Sequence, residues 1–549
     1  MTSWDYLIVT ASNERQAEAY RSQLELRKKL GRIPQAKTVL AVPDPGGIRV
    51  GSGGSTVACL MRVLELELPD GRGRAPDPRA WRAALDRLRI LIIHAGGDSK
   101  RLPAYGPCGK IFVPVPAARG PEAPGRAVPA AIFDRLAPVY LSLPAPSSGR
   151  GQTVISTGDV LLFFDPRRAA FARSGITALG CLASPEISRN HGVFIPDRGG
   201  TIRRYLQKPS VAAQRESGAI AAGAGGRSIL DMGVMSFDPA AAVRLLEMCG
   251  VGADGGSGRL RWSGPTAEAV ETKGLDIFRE IACALGTDTG FGDYAKAARA
   301  AGSLWTDGAL RRIYATLGGT DFSLSLVPRC RFLHFGTSRE LIQSGNALRR
   351  RDGTAAPGDS IVSLNNAFVG RGRIAGARSW VEGCRIGARL DAPGGNIVVG
   401  LDVAAPLALR RGAAIDVLKG KDRRGRTVWF VRAYGVDDVF HKPAGRRGRD
   451  KRVGRLAGLS LREWREAVGA ATDEIWPPDA APADRQVWNG RFFPAVKRAE
   501  GYRKWLWMLE PRTATGAQKR QWRRADRYSF AEMAVLADQD AFHARRRLG

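Results

Sequence analysis

The chain has no long apolar run, no metal-spaced cysteine pair and little lysine. No stretch approaches the roughly 20 apolar residues that a membrane span needs, and the longest strong run is a short one around Leu91 to Ala95. Met1-Thr2-Ser3-Trp4-Asp5 opens without the basic and apolar regions of a secretory signal, so export is not expected. The seven cysteines are odd in number, scattered and free of any CxxC pair. That excludes a disulfide framework and a zinc site, and it reads as reduced thiols in a cytoplasm. Only 15 of the 84 basic residues are lysine, so arginine carries the formal charge of +31. RNP, zinc-finger and basic-zipper signatures are all missing, which speaks against a nucleic-acid binder. The cluster Arg446, Arg447, Arg449, Lys451, Arg452 and Arg455 nevertheless keeps that reading in view for the C-terminal part. A positive field equally suits small anionic substrates.

What is present is a globular composition: 549 residues, 44% hydrophobic, with 12 Trp, enough for two to four domains. Strand-like and helix-like runs alternate over residues 1–345. Tyr6 to Thr10, Thr38 to Val42, Arg89 to His94, Thr153 to Ser156 and Ile176 to Leu182 read as strands. Helices are expected after Ser12 or Asn13, over Ser55 to Leu68, over Ala130 to Leu143 and over Pro166 to Arg173. This rhythm predicts an α/β, doubly wound, Rossmann-like sheet with ligands beyond the carboxyl ends of its strands. The Pro- and Gly-rich interruptions at Ala117–Pro129 and Gly250–Gly258 read as surface insertions. From Ala367 the period becomes six: AFVGRG, RIAGAR, SWVEGC, RIGARL, DAPGGN, IVVGLD. The second positions Phe368, Ile374, Trp380, Ile386, Ala392 and Val398 would then point inward in a short parallel β-helix over 346–440. Leu461 to Val468, Ala499 to Leu509 and Phe530 to Ala544 make 441–549 a mostly helical region.

Chemistry concentrates at strand ends. Gly96, Gly97 and Ser99 follow the buried strand, with Arg101 and then Lys110 downstream. Glycines there let backbone N–H groups approach a phosphate, and an arginine fork and a lysine charge neutralise it. A second run, Gly51, Ser52, Gly53, Gly54, Ser55, reads as a turn opening a helix, either an anion site or a tight connection capped by Ser55. Asp159 ends another strand and is a candidate Mg²⁺ ligand or a helix cap. Lys208, His191 and Asp276 carry weak signals singly; Asp276 equally suits a helix cap.

In combination they resemble the sugar-nucleotide pyrophosphorylases, and most closely the fucose-1-phosphate guanylyltransferase family. The residues that carry this are Gly51 to Thr56, His94 to Pro103 with Gly109-Lys110-Ile111-Phe112, His191-Gly192-Val193-Phe194, Gln207-Lys208-Pro209-Ser210, His334 to Ser338 and Tyr434 to Asp438. The resemblance runs from Trp4 through Val487 to Pro494 and on to Met533, nearly the whole chain. It implies a nucleotidyltransferase-A sheet domain followed by a left-handed β-helix, and GMP transfer from GTP to L-fucose 1-phosphate. It further implies Arg101, Lys110, Asp159 and Lys208 as catalytic residues. Gly51, Gly53, Gly54, Ser55, Gly96, Gly97 and Ser99 would hold the nucleotide, Lys208 the sugar 1-phosphate, His191 the sugar or base unless it is a satisfied core histidine, and Asp159 and Asp276 Mg²⁺ or Mn²⁺. The same transfer on another sugar or base is the alternative. Ser99 and Gly109 depart from the wider superfamily, which carries Gly and Pro there. The Pro-x-x-x-Gly-Leu-Gly-Ser loop of a sugar kinase is absent, so the expectation is a stand-alone transferase, or one half of a split pair with a separate sugar kinase of the same pathway, and no membrane partner.

Overall fold

The computed structural model describes residues 3–547 apart from 69–77, 98, 118–127, 222–224, 255–258, 357, 444 and 446–452. The insertion at Ala117–Pro129 lies mostly outside the described residues and that at Gly250–Gly258 partly so, as do Arg446, Arg447, Arg449, Lys451 and Arg452. Contacts divide the chain into two compact units, neither continuous in sequence. The first comprises Met1–Gly97, Asp134–Gly158 and Leu162–Phe332; the second comprises Asp98–Phe133, Asp159–Leu161 and Leu333–Gly549. The stretches 346–440 and 441–549 therefore share one unit.

The first unit is a mixed α/β sheet whose main path runs Phe322–Leu326, Ile176–Ala183, Arg227–Phe237, Gln152–Thr157, Arg89–His94, Trp4–Ala11, Ala36–Pro43. The last four are mutually parallel. Arg227–Phe237 runs antiparallel to both of its neighbours, so the sheet is not uniformly parallel. Ile90, Leu91, Ile92 and Ile93 are all fully buried, as a strand covered on both faces requires. Asn13, not Ser12, caps the helix Glu14–Lys29 by accepting the Gln16 N–H. The helix expected over Pro166 to Arg173 is only one turn, Pro166–Arg168. Beyond it the Ala172 N–H donates to Thr177 Oγ1, which replaces a helical partner.

In the second unit, short strands form three parallel ladders. One joins Val362–Leu364, Trp380–Glu382, Ile397–Val399 and Ala413–Lys421; the others join Ala367–Phe368, Arg385–Ile386, Asp402–Val403 and Arg373–Gly376, Arg389–Ala392, Leu407–Ala408. Trp380, Ile386, Ala392 and Val398 are fully buried, whereas Ile374 is half-buried and Phe368 is 54% exposed. Those two belong to outermost rows, each paired on one side only. The strict hexad also slips: Trp380 lies against Ile397 rather than Val398, and Ile374 against Leu390 rather than Ala392. Glycine at the corners has a steric cause, since a Cβ on Gly376 (φ +127°) would stand 1.8 Å from the Ala392 carbonyl oxygen.

The tail departs from expectation in two places. Ala499–Leu509 is 3₁₀ rather than α-helical. Phe530 to Ala544 is two helices, Phe530–Leu536 and Gln539–Ala544, and Asp538 breaks the run by capping the second. Among the described residues no helix is long and apolar enough to cross a membrane.

Candidate active site

The second unit gathers three of the charged residues expected to act together. Lys110 Nζ lies 3.1 Å from Asp159 Oδ2. Gly336 borders the same group, because a Cβ there would meet Glu340 Oε2 at 3.4 Å, Asp159 Oδ2 at 3.5 Å and Arg101 Nη2 at 3.7 Å. The backbone fixes this arrangement. The Phe335 N–H donates to the Asp159 carbonyl and the Ser338 N–H to the Arg101 carbonyl. Thr337 then caps the helix Ser338–Arg351 by accepting the Glu340 N–H. Burial pushes the Asp159 carboxyl up, but Lys110, Arg101 and His334 together outweigh it. Asp159 is therefore held below the usual carboxylate range, ionised at neutral pH.

The two departures from the wider superfamily have backbone explanations. Ser99 adopts φ +54°, a left-handed conformation natural to glycine. Gly109 has φ +69°, which proline cannot take, and it launches the turn Lys110–Phe112 that presents the lysine. The Ser99 hydroxyl is buried and has no hydrogen-bond partner among the described residues.

On the first unit the glycine run is not a turn before a helix. Gly51–Glu67 is helical from its first glycine. These glycines are packing contacts: a Cβ on Gly51 would lie 2.4 Å from the Leu275 carbonyl oxygen, and on Gly53 2.7 Å from Leu275 Cγ. The Gly53 N–H already donates to that carbonyl, so one of the helix's open donors is spent within the protein. Ser55 does not cap; its hydroxyl donates to Asp44 at 2.5 Å. Ser52 and Asp276 come together, with the Ser52 hydroxyl 3.4 Å from Asp276 Oδ2. Asp276 is an N-cap, its Oδ1 accepting the Phe278 and Arg279 N–H groups. Gly96 packs on the end of the strand Trp4–Ala11, and its N–H, like that of Ala95, donates to Thr10 Oγ1. Gly97 has φ +125°, and a Cβ on it would face Arg49. Lys208 is exposed at φ +52°, its N–H donating to the His191 carbonyl. The His191 ring lies 5.7 Å from that of Phe332.

Sequence reasoning missed Glu340, and it missed Asp231, which accepts from Tyr205 Oη at 2.9 Å and the Gly233 N–H at 2.7 Å. Burial pushes Asp231 up to about 6. Asp231 sits at a register shift in the strand Arg227–Phe237, a feature that no side-chain pattern announces.

His94 gives a pH prediction. Its Nε2 lies 3.0 Å from Thr56 Oγ1, and burial lowers it to about 4, against an opposing effect of Asp276. Between the ordinary histidine value and 4, the unfolded chain binds the proton and the folded one does not. Stability from His94 is therefore lost as pH falls through that window. The melting temperature of the wild type should fall more from pH 7 to pH 5 than that of His94→Asn; equal falls would show His94 to be uncoupled from folding.

The carboxylate chemistry of Asp159 suits a hard divalent cation, and its Oδ1 takes no hydrogen bond among the described residues. Among the described residues no three His, Cys, Asp or Glu side chains gather to cage a metal. A cation would therefore draw most of its ligands from water and substrate phosphates, as Mg²⁺ commonly does.

The first unit is a mixed α/β sheet, and the second holds an arginine–lysine–carboxylate cluster beside the turn Lys110–Phe112, so the chain is an α/β protein. A family model described as the fucose pyrophosphorylase domain matches residues 82–498, well over half of the chain, and the chain belongs to that family. It is 26% identical over 577 residues to the bifunctional fucokinase/GDP-fucose pyrophosphorylase of Arabidopsis thaliana, covering 97% of this chain and 50% of that one. To the L-fucokinase/L-fucose-1-P guanylyltransferase of Bacteroides fragilis it is 25% identical over 516 residues, 92% of this chain and 47% of the other. Human fucose-1-phosphate guanylyltransferase is 30% identical over 231 residues, 40% of this chain and 34% of the human protein. The chain thus spans about half, or less, of the length of these curated relatives.

Proposed function

We propose that the protein transfers GMP from GTP to L-fucose 1-phosphate, giving GDP-L-fucose and pyrophosphate. The observation that carries this reading is the gathering of Arg101, Lys110 and Asp159 beside Gly336 in a chain of this family. The fold reading that goes with it is a nucleotidyltransferase-A sheet domain and a left-handed β-helix, supported by the three parallel ladders.

The sugar phosphate oxygen is ionised at neutral pH, so attack on the α-phosphorus of GTP needs no general base. Catalysis is positioning and charge neutralisation. Arg101 faces the β- and γ-phosphates and takes up charge as pyrophosphate leaves. Lys110, held by Asp159, neutralises the α-phosphate. Lys208 holds the sugar 1-phosphate, and His191 contacts the sugar or the base. Gly96, Gly97 and Ser99 lie along the nucleotide, whereas Gly51 and Gly53 of the helix Gly51–Glu67 are taken up by packing on Leu275. Asp159 is the better candidate to hold Mg²⁺ or Mn²⁺, since Asp276 is spent on its cap. When bound, the metal would screen the charge on the reacting phosphates. The relatives that pair fucokinase with this activity support a sugar kinase as the source of the substrate, and seven unpaired cysteines support a cytoplasmic setting.

A panel of nucleoside triphosphates against sugar 1-phosphates, read by pyrophosphate release, tests the reading. GTP with β-L-fucose 1-phosphate should be the best pair. Mannose 1-phosphate or glucose 1-phosphate outcompeting fucose 1-phosphate would overturn the substrate. In the same assay Gly336→Val should lower kcat at least tenfold with little change in melting temperature, because branched carbons would crowd three charged groups that must stay open to phosphate. Normal turnover in that variant would place the reacting phosphates elsewhere.

A further inference from the structure

Apart from the Arg101–Asp159 cluster, the second unit carries an arginine-lined cavity of about 730 Å³, bounded by one face of the helix Ser338–Arg351 and by corners of successive ladder coils. Arg339, Gln343, Asn346 and Arg350 recur at helical spacing and so share a face. Across from them stand Arg378 and Arg411. The corners are stacked by backbone hydrogen bonds, Gly395 N–H to the Arg378 carbonyl and Gly412 N–H to the Gly394 carbonyl.

Four guanidiniums thus line one cavity. Arg339 is paired with Asp437, and Arg350, Arg378 and Arg411 have no acidic partner among the described residues. Two local features shape the corners that carry Arg378 and Arg411. Arg378 adopts φ +38°, unusual for a residue with a side chain, and its N–H is fixed to Ser360 Oγ at 2.9 Å. Arg411 Nη1 reaches over Gly394, where a Cβ would lie 2.5 Å from it. A concave site with uncompensated arginine forks is complementary to phosphate oxygens. Its volume falls in the range of small-molecule sites, roughly 300–1,000 Å³, far more than one inorganic phosphate fills.

We propose that this cavity is a second anion site, which binds a small molecule bearing two or more phosphates and of up to nucleotide size. The helix that lines it has its first turn beside the Arg101–Asp159 cluster: Ser338 holds the Arg101 carbonyl, and Glu340 borders Gly336. Arg339 and Glu340 are consecutive, so a ligand held by Arg339 and Arg350 bears on the helix that positions the cluster.

Calorimetric titration of the full chain with GTP, ATP and pyrophosphate tests this. At least one ligand should show two classes of site. Arg378→Glu combined with Arg411→Glu should abolish one class or weaken it at least a hundredfold, leaving the other. Arg350→Glu alone, on the exposed last turn of the helix, should weaken the same class at least tenfold, which keeps the test valid should the double variant fold poorly. Arg101→Ala with Lys110→Ala should remove the complementary class. Pyrophosphate or a nucleotide filling the cavity would identify which source of the shared chemistry it takes. A single class, lost with Arg101 and Lys110 and untouched by Arg350, Arg378 and Arg411, would overturn the proposal, as would binding of an RNA oligonucleotide alone at these arginines. Because the readout is binding, absence of guanylyl transfer would leave the result interpretable.

Discussion

Replacing Asp159 by Asn should leave the fold intact and lower guanylyl transfer a hundredfold or more. The carboxylate is isosteric with the amide and is about a third exposed, at 36%, so little packing changes. What changes is charge. Lys110 loses the anion 3.1 Å away that fixes its ammonium, and the site loses a carboxylate. Groups preorganised toward developing charge contribute roughly 3–4 kcal/mol each when removed singly, which is the hundredfold or more expected here. The melting temperature, measured alongside, should move by no more than a surface ion pair justifies. Asp159 is ionised well below neutrality, so the loss should be equal at pH 6 and pH 8. Full turnover in the variant would reduce Asp159 to an anchor for Lys110 and withdraw the metal assignment.

How far the sequence carried depended on whether a feature is local or assembled. The strand Arg89–His94 was legible because burial on both faces demands an unbroken apolar run. Leu461–Val468 was legible to the residue, since Ser460 and Glu463 form a capping box at one end and Gly469 adopts φ +70° at the other. The ladders announced themselves by period, yet their true spacing was hidden. Coils close on 16 to 18 residues as the corners need, so strict counting by six drifts from Ile374 onward. Phe530 to Ala544 reads as one helix because no glycine or proline interrupts it; Asp538 ends the first half by capping the second, a choice made by hydrogen bonding rather than hydrophobicity.

The candidate site shows the same division. Arg101, Lys110 and Asp159 could be picked out by residue type, but their association depends on Phe335 and Ser338 clamping both backbones from more than 170 residues downstream. Glu340 was invisible for that reason. The run Gly51 to Ser55 misled in the opposite direction. It looks like a phosphate turn, but Gly51 and Gly53 are small because Leu275 occupies the space their side chains would take. Glycine marks close approach; only the fold says by what.

The second large effect is structural and sits near the end of the chain. Arg546 is 4% exposed and pairs at 2.7 Å with Glu382, itself fully buried on the strand Trp380–Glu382. Glu382 also accepts from Tyr105 Oη and from Asn365, and the Tyr105 oxygen accepts the Trp380 indole N–H at 2.7 Å. The guanidinium lies 3.4 Å over the Phe542 ring. Arg546→Ala removes the cation but leaves the carboxylate enclosed, and breaking a buried pair from one side costs about 3–5 kcal/mol. The melting temperature should fall by several degrees or more. Glu382→Gln combined with Arg546→Met should recover most of that loss, because neutralising both partners leaves no uncompensated charge and methionine keeps an apolar contact on Phe542. A double variant as unstable as Arg546→Ala would mean that packing, not the stranded carboxylate, sets the penalty. An Arg546→Ala protein that melts like the wild type would show that the segment after Phe542 is not docked on the ladders at all.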